Sequence, residues 1–171
     1  MGDHGGDNGV FIRSLATQGA MGGLARPALD SVDVLDACGF QVVMIETVGV
    51  GQSETAVKDL VDMFLLLLAP GGGDDLQGIK KGIVEMADLI VVNKADGDLA
   101  PAAERARRDY ASALHLLRPE NSDWLPQVVK CSAVVGDGLD DIWKSVEAFR
   151  KATQGSGRFD SQRADQARTW M

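Results

Sequence analysis

The sequence lacks almost everything that metal or redox chemistry would need. Its 171 residues include two cysteines and two histidines, His4 and His115. Neither a Cys-x-x-Cys nor a His-Glu-x-x-His spacing occurs, so no zinc centre is expected. Cys38 and Cys131 each stand beside an apolar segment and read as buried free thiols of a reducing compartment, not as a disulfide pair. Aromatic residues are few, at 5%. No apolar run approaches the roughly 20 residues of a membrane span, and no signal peptide opens the chain, so the expectation is a cytoplasmic protein without a membrane partner. Basic residues are outnumbered 17 to 25, and the net charge of -8 argues against a broad nucleic-acid surface. One motif is also absent. No G-x-x-x-x-G-K-[ST] occurs: GVGQSE lacks the lysine, and GGGDDLQGIKKG has neither the spacing nor the closing hydroxyl residue.

What remains is ordinary for a globular protein, 45% hydrophobic and 25% charged, with 20 glycines clustered between apolar segments. MGDHGGDNG reads as a loop, in which Asp3, His4, Asp7 and Asn8 meet no metal-loop spacing. Val10–Arg13 is a candidate edge strand. Pro27 suits a first helical turn, and Ala28, Leu29, Val32 and Leu35 follow at helical spacing until Gly39. Val42–Ile45 predicts a fully buried strand. Ser53 is a candidate N-cap for a short helix through Asp59, and Met63–Leu68 a second buried strand. Asp74 and Gln77 have the spacing of a capping box ahead of Ile79, Ile83, Met86 and Ala87. Leu89–Val92 is a third strand and Val128–Cys131 a fourth. Pro101 opens a helix with Ala106, Tyr110, Ala113, Leu114 and Leu117 on one face. Leu139, Ile142, Trp143 and Val146 mark a closing helix. From Gly155 the chain turns polar and carries Arg158, Arg163 and Arg168, which suggests a docking tail or an element cut short. Strands alternating with helices predict an α/β fold with a mainly parallel sheet flanked by helices.

The chemistry-bearing residues fall directly after these strands, where open α/β sheets bind ligands. Glu46 follows the first buried run, and Gly49 stands three residues on. An acid there can face a hydrated metal, and the glycine lets a backbone N–H approach a phosphate. Read alone, the pair is equally a strand end with a solvated glutamate. After the third strand comes Asn93-Lys94-Ala95-Asp96. In such a loop the Asp accepts paired hydrogen bonds from N1–H and the 2-amino group of guanine, a donor pair that adenine lacks. The Lys stem covers one face of the ring, and the Asn amide ties the loop to its neighbours. The bland alternative is a polar turn with capping residues. Ser132-Ala133 follows the fourth strand, where a backbone N–H can serve guanine O6. Three such loops after apolar strands point to the P-loop GTPases.

The stretches ETVGVGQSE, LLLLAPGGGDDLQGIKKGIVEMADLIVVNKADGD and SAVVGDGL resemble the methylmalonyl-CoA-mutase-associated GTPases (MeaB/MMAA type), a family also labelled arginine/ornithine (LAO/AO) transport-system ATPase or kinase. The resemblance covers essentially the whole chain. It implies a SIMIBI-class G domain that binds GTP or GDP with Mg²⁺ and serves as a chaperone of an adenosylcobalamin-dependent acyl-CoA mutase, dimeric in the intact family member. By resemblance, Glu46 contacts Mg²⁺ through water, and Gly49, Gly51, Gln52 and Ser53 belong to the switch behind the γ-phosphate. Glu46, Gly49, Gln52 and Lys80 are the candidate catalytic residues. Asn93, Lys94, Asp96, Ser132 and Ala133 are the candidate guanine-binding residues, and Asp74, Asp75 and Gln77 lie in a further switch facing the mutase. A capped helix start remains the alternative for that segment.

The resemblance also frames what the missing motif means. The family carries its phosphate loop in a portion expected to precede Met1, so residues 1–153 are expected to be a partial G domain lacking its phosphate-loop strand. Residues 154–171 would then begin a helical dimerisation arm. The intact protein would hydrolyse GTP, whereas this chain alone is expected to bind it weakly and to be inactive as an enzyme. The alternatives are a non-catalytic mutase-binding module and a gene fragment without independent activity.

Overall fold

The computed structural model describes residues 9–14, 26–47, 57–70, 81–116 and 123–170; for 26, 27, 29, 81, 169 and 170 this extends to the backbone alone. These residues belong to two units, Met1–Val57 and Lys58–Met171.

In the first unit, helix α1 spans Arg26–Ala37 with Pro27 in its opening turn. It stops at Gly39, whose φ of 85° is open to glycine at little cost, and Cys38 N–H still donates to Val34 O at 2.9 Å. Phe40, just past this stop, meets Phe11 with ring centroids 6.5 Å apart. Two expectations fail here. Val42–Ile45 belongs to no sheet among the described residues, and Met44 is 90% exposed. The candidate edge strand at Val10–Arg13 is likewise without strand pairing. An apolar run becomes a strand only where a neighbour takes its N–H and C=O groups, and none of the described residues does so. Cys38 is exposed, not buried. It follows the exposed Val34 by one helical turn, on a side of α1 away from the apolar stripe.

The second unit is built on a three-stranded, all-parallel sheet in the order β1-β2-β3. Its strands are β1 (Leu65–Leu68), β2 (Leu89–Val92) and β3 (Gln127–Lys130). Helix α2 (Lys81–Met86) precedes β2, and α3 (Ala100–Leu116) links β2 to β3 as a crossover must between parallel strands. Helices α4 (Leu139–Gly155) and α5 (Arg158–Trp170) close the chain. The register sets Leu68 beside Val92 and Val92 beside Lys130, so the three strands end level. Every residue of β2 is buried, as a central strand covered on both faces requires. Leu89, Val91 and Cys131 form a core cluster against which Met63, Val129 and Ile142 pack. Ile90→Val, removing one methylene from the buried sheet, should cost about 1 kcal/mol in denaturant unfolding with an unchanged slope.

The polar end of the chain is a docked helix. On α5, Arg163 grips Asp62 through Nε and Nη2 at 2.8 and 2.7 Å, and Gln162 and Gln166 both donate to Val61 O. Arg158 lies between Asp88 and Asp123 and over the ring of Phe149. Phe149 also meets Trp124 edge-on at 5.4 Å, whose indole N–H donates to Asp88 O. Among the described residues, no helix is long and apolar enough to cross a membrane.

Candidate functional site

The level strand ends bring Asn93–Asp96 and Cys131–Ala133 side by side at the carboxyl edge of the sheet. Backbone bonds stitch them together: Asn93 N–H donates to Leu68 O at 2.8 Å, Cys131 N–H to Val92 O and Ala95 N–H to Cys131 O, each at 2.9 Å. Lys94 has a φ of 58°, the one non-glycine residue with a positive φ among those described. That turn lets Asn93 Oδ1 accept from Lys94 N–H at 2.7 Å and, across the seam, from Ala133 N–H at 3.1 Å. The Cys131 thiol approaches the same oxygen at 3.5 Å, and burial pushes its pKa up, which keeps the proton on sulfur. The Asn93 side chain thus ties the two loops together.

Ser132 is 1% exposed and fully used. Its N–H donates to Asp137 O at 2.9 Å, its carbonyl accepts from Gly136 N–H, and its hydroxyl accepts from Val135 N–H. The hydroxyl proton goes to Asp96 Oδ1 at 2.5 Å. Asp96 stands at the entry to a short 3-10 turn, Gly97–Leu99, yet its side chain makes no capping bond there. This disfavours the bland capping alternative. One carboxylate oxygen is fixed by Ser132, and the half-buried group is kept from its own turn. Such a carboxylate can accept a pair of donors from a planar ring edge. Ala133 N–H already serves Asn93 Oδ1, so reaching a base oxygen requires it to exchange or share that acceptor.

Glu104, on the second turn of α3, anchors the seam from outside. Its carboxylate accepts from Arg107 at 2.8 and 3.2 Å and from Arg108 at 2.9 Å, and pairs with Lys130 at 3.0 Å. Arg107, then Lys130 and Arg108, hold the Glu104 carboxyl far below the usual carboxylate range. Lys130 directly precedes Cys131. On its other side, Gly138 comes so near the Lys130 carbonyl that no side chain fits between them.

The remaining candidates stand apart from this description. Glu46 is exposed and belongs to the first unit. Gly49, Gly51, Gln52, Ser53, Asp74, Asp75, Gln77 and Lys80 lie outside the described residues. Among the described residues, no group of three or more His, Cys, Asp or Glu is gathered to hold a metal ion. Sequence reading passed over Gly138, Glu104 and Lys130. A glycine between Asp137 and Leu139 in GDGLDD hinted at the first, but nothing local announces a pairing across 26 residues.

A family model described as methylmalonyl-CoA-mutase-associated GTPase MeaB matches residues 1–171. The chain belongs to that family. Among its relatives, a putative GTPase of Caulobacter vibrioides is 53% identical over 162 residues, which cover 95% of this chain and 49% of that protein. The mitochondrial methylmalonic aciduria type A homolog of Mus musculus is 46% identical over 165 residues, covering 96% and 40% of the two chains. A crystal structure of a LAO/AO transport system kinase superposes with a TM-score of 0.76 at 45% identity, over 84% of this chain and 45% of the other. The parallel sheet with flanking helices expected of a GTPase of this family is the observed architecture. The chain spans about half the length, or less, of these relatives.

Proposed function

We propose that this chain carries the guanine-recognising part of a mutase-associated G protein. The observation that supports it is the Asp96 carboxylate, fixed at one oxygen by the buried Ser132 hydroxyl and released from capping its own turn. Asp96 accepts N1–H and the 2-amino group of guanine, the Lys94 stem covers the ring, and Asn93 holds the two loops in register through Ala133. Magnesium would come with the nucleotide's phosphate oxygens. GTP hydrolysis and service to an adenosylcobalamin-dependent acyl-CoA mutase, as chaperone and as a homodimer, are the activities we assign to the intact protein.

A second reading, a mutase-binding module without turnover, draws on the absence of G-x-x-x-x-G-K-[ST] from these residues. Without a backbone cradle for the phosphates, affinity should be weak, with Kd of about 1 mM, because much of a nucleotide's binding comes through its phosphates. Selectivity for the base should survive. Displacement of a fluorescent GDP analogue from the full chain tests both statements: GDP should compete about tenfold or more better than ADP. Equal competition by ADP would remove the guanine assignment. Tight, magnesium-dependent binding of a GTP analogue would remove the expectation of weakness.

A further inference from the structure

We infer that the Glu104–Lys130 ion pair positions the Ser132-Ala133 loop for base recognition, so that Glu104 is a positioning residue of the guanine site; this rests on the guanine reading above. The argument begins with topology. Strand β3 lies at the edge of the described sheet and has β2 as its one strand neighbour there. Its last residue, Lys130, leads directly into the loop that meets Asp96. The loop is held to the opposite motif by Ala95 N–H to Cys131 O, Ala133 N–H and the Cys131 thiol to Asn93 Oδ1, and Ser132 Oγ–H to Asp96 Oδ1. All of these join it to the Asn93–Asp96 loop.

Helix α3 packs against β3, and there Lys130 Nζ meets Glu104 Oε2 at 3.0 Å. Helix α3 begins just after Asp96, so Glu104 rides on the element that the Asn93–Asp96 loop runs into. The ion pair therefore closes a ring: the Asp96 loop, α3, Glu104, Lys130, the Ser132 loop, and back to Asp96. Arg107 and Arg108 keep Glu104 oriented, with the guanidinium of Arg107 bonding to both carboxylate oxygens. Opening the ring at Glu104 leaves Asp96 and its reading of the 2-amino group in place, while the Ala133 N–H loses its fixed distance from Asp96.

The two loops read different edges of the base, and this makes the test selective. Inosine diphosphate keeps O6 and lacks the 2-amino group; ADP lacks O6. Glu104→Gln should weaken GDP and inosine diphosphate by the same factor, about 3- to 5-fold, and leave their ratio unchanged. ADP should be unaffected, so GDP selectivity over ADP falls. Lys130→Met should reproduce the pattern, and 1 M salt should erase the difference between wild type and both variants. A readout without nucleotide runs alongside: amide hydrogen exchange at Ala133 and Ala95 should accelerate in Glu104→Gln, with β2 unchanged. Unchanged GDP affinity and unchanged exchange at Ala133 would overturn the inference while leaving the guanine site standing. Equal weakening of all three nucleotides would reduce Glu104 to a general stability residue. A wild type without guanine preference would remove the site, and this role with it.

Discussion

Asp96→Asn is expected to move the base preference of the chain from guanine to xanthine. The carboxylate offers two acceptors to the two donors of guanine, N1–H and the 2-amino group. The amide offers one acceptor and one donor, which matches the N1–H and C2 carbonyl of xanthine. The native charge-assisted pair is worth about 1.5–3 kcal/mol, so GDP should lose about 10- to 150-fold in affinity. Xanthosine diphosphate, which presents a carbonyl to the carboxylate in the wild type, should become the better competitor. The fold should survive, because an asparagine Oδ1 still accepts the Ser132 hydroxyl that Asp96 now accepts. Competition by the two nucleotides against one fluorescent analogue reads the exchange directly. An unaltered order of GDP and xanthosine diphosphate would mean that Asp96 does not touch the base. A parallel thermal melt separates that result from simple loss of structure.

The pH dependence of the outer tie follows from Glu104. Its carboxyl in the folded chain lies below the ordinary value of 4.5, so its ion pairs stabilise the fold above that pH and are lost as pH falls through the depressed folded value. Glu104→Gln should therefore lower the melting temperature at pH 6. The gap from wild type should hold near pH 5 and close only well below pH 4.5, where wild type takes up the proton. A gap that closed between pH 7 and 5 would place the titration on another group. The side chain is partly exposed, so the expected gap is small.

The parts of this molecule that could be read in advance are those whose signal is local. Leu65–Leu68, Leu89–Val92 and Gln127–Lys130 fall within two residues of the expected strands, but only β2 is buried throughout; β1, expected to be buried, leaves Leu65 and Leu67 exposed. The same signal misled at Val42–Ile45, since apolarity supplies a buried face but not a hydrogen-bonded neighbour. Helix α5 left no such local signal, and only the family resemblance implied a helical arm there. It carries little apolar stripe and is held by Arg163 on Asp62 and by glutamines on Val61 O, partners about 100 residues away that no periodicity reveals. At the site, Asn93–Asp96 and Ser132-Ala133 could be placed in advance at one edge of the sheet because each directly follows a strand. The seam between them was not. Asn93 to Ala133, Ser132 to Asp96 and Glu104 to Lys130 exist only once the sheet has set three strand ends level.

That levelling gives Gly138 its importance, and Gly138→Ala should produce the largest loss of stability of any single methyl group added near the site. Gly138 is the N-cap of α4 with a φ of 75°, a conformation that costs a residue with a Cβ about 1–2 kcal/mol. The added Cβ would also collide with the Lys130 carbonyl oxygen and lie 3.1 Å from Cys131 Cα. Both obstacles are backbone, so relief requires moving the end of β3 or the start of α4. Overpacking of this kind costs about 1–3 kcal/mol more, for a total of about 2–5 kcal/mol in denaturant unfolding. Gly136 is the internal control: its φ is 79°, and a Cβ there meets nothing within 4 Å. Gly136→Ala should lose the backbone part alone, about 1–2 kcal/mol, and keep its GDP affinity. In Gly138→Ala the displaced Lys130–Ser132 backbone should also weaken GDP at temperatures where the chain is still folded, since that backbone carries the bonds to Asn93 and Asp96. Equal losses in the two variants would show that β3 and the head of α4 yield easily, and the seam would then owe its geometry to Ser132 and Asn93 alone.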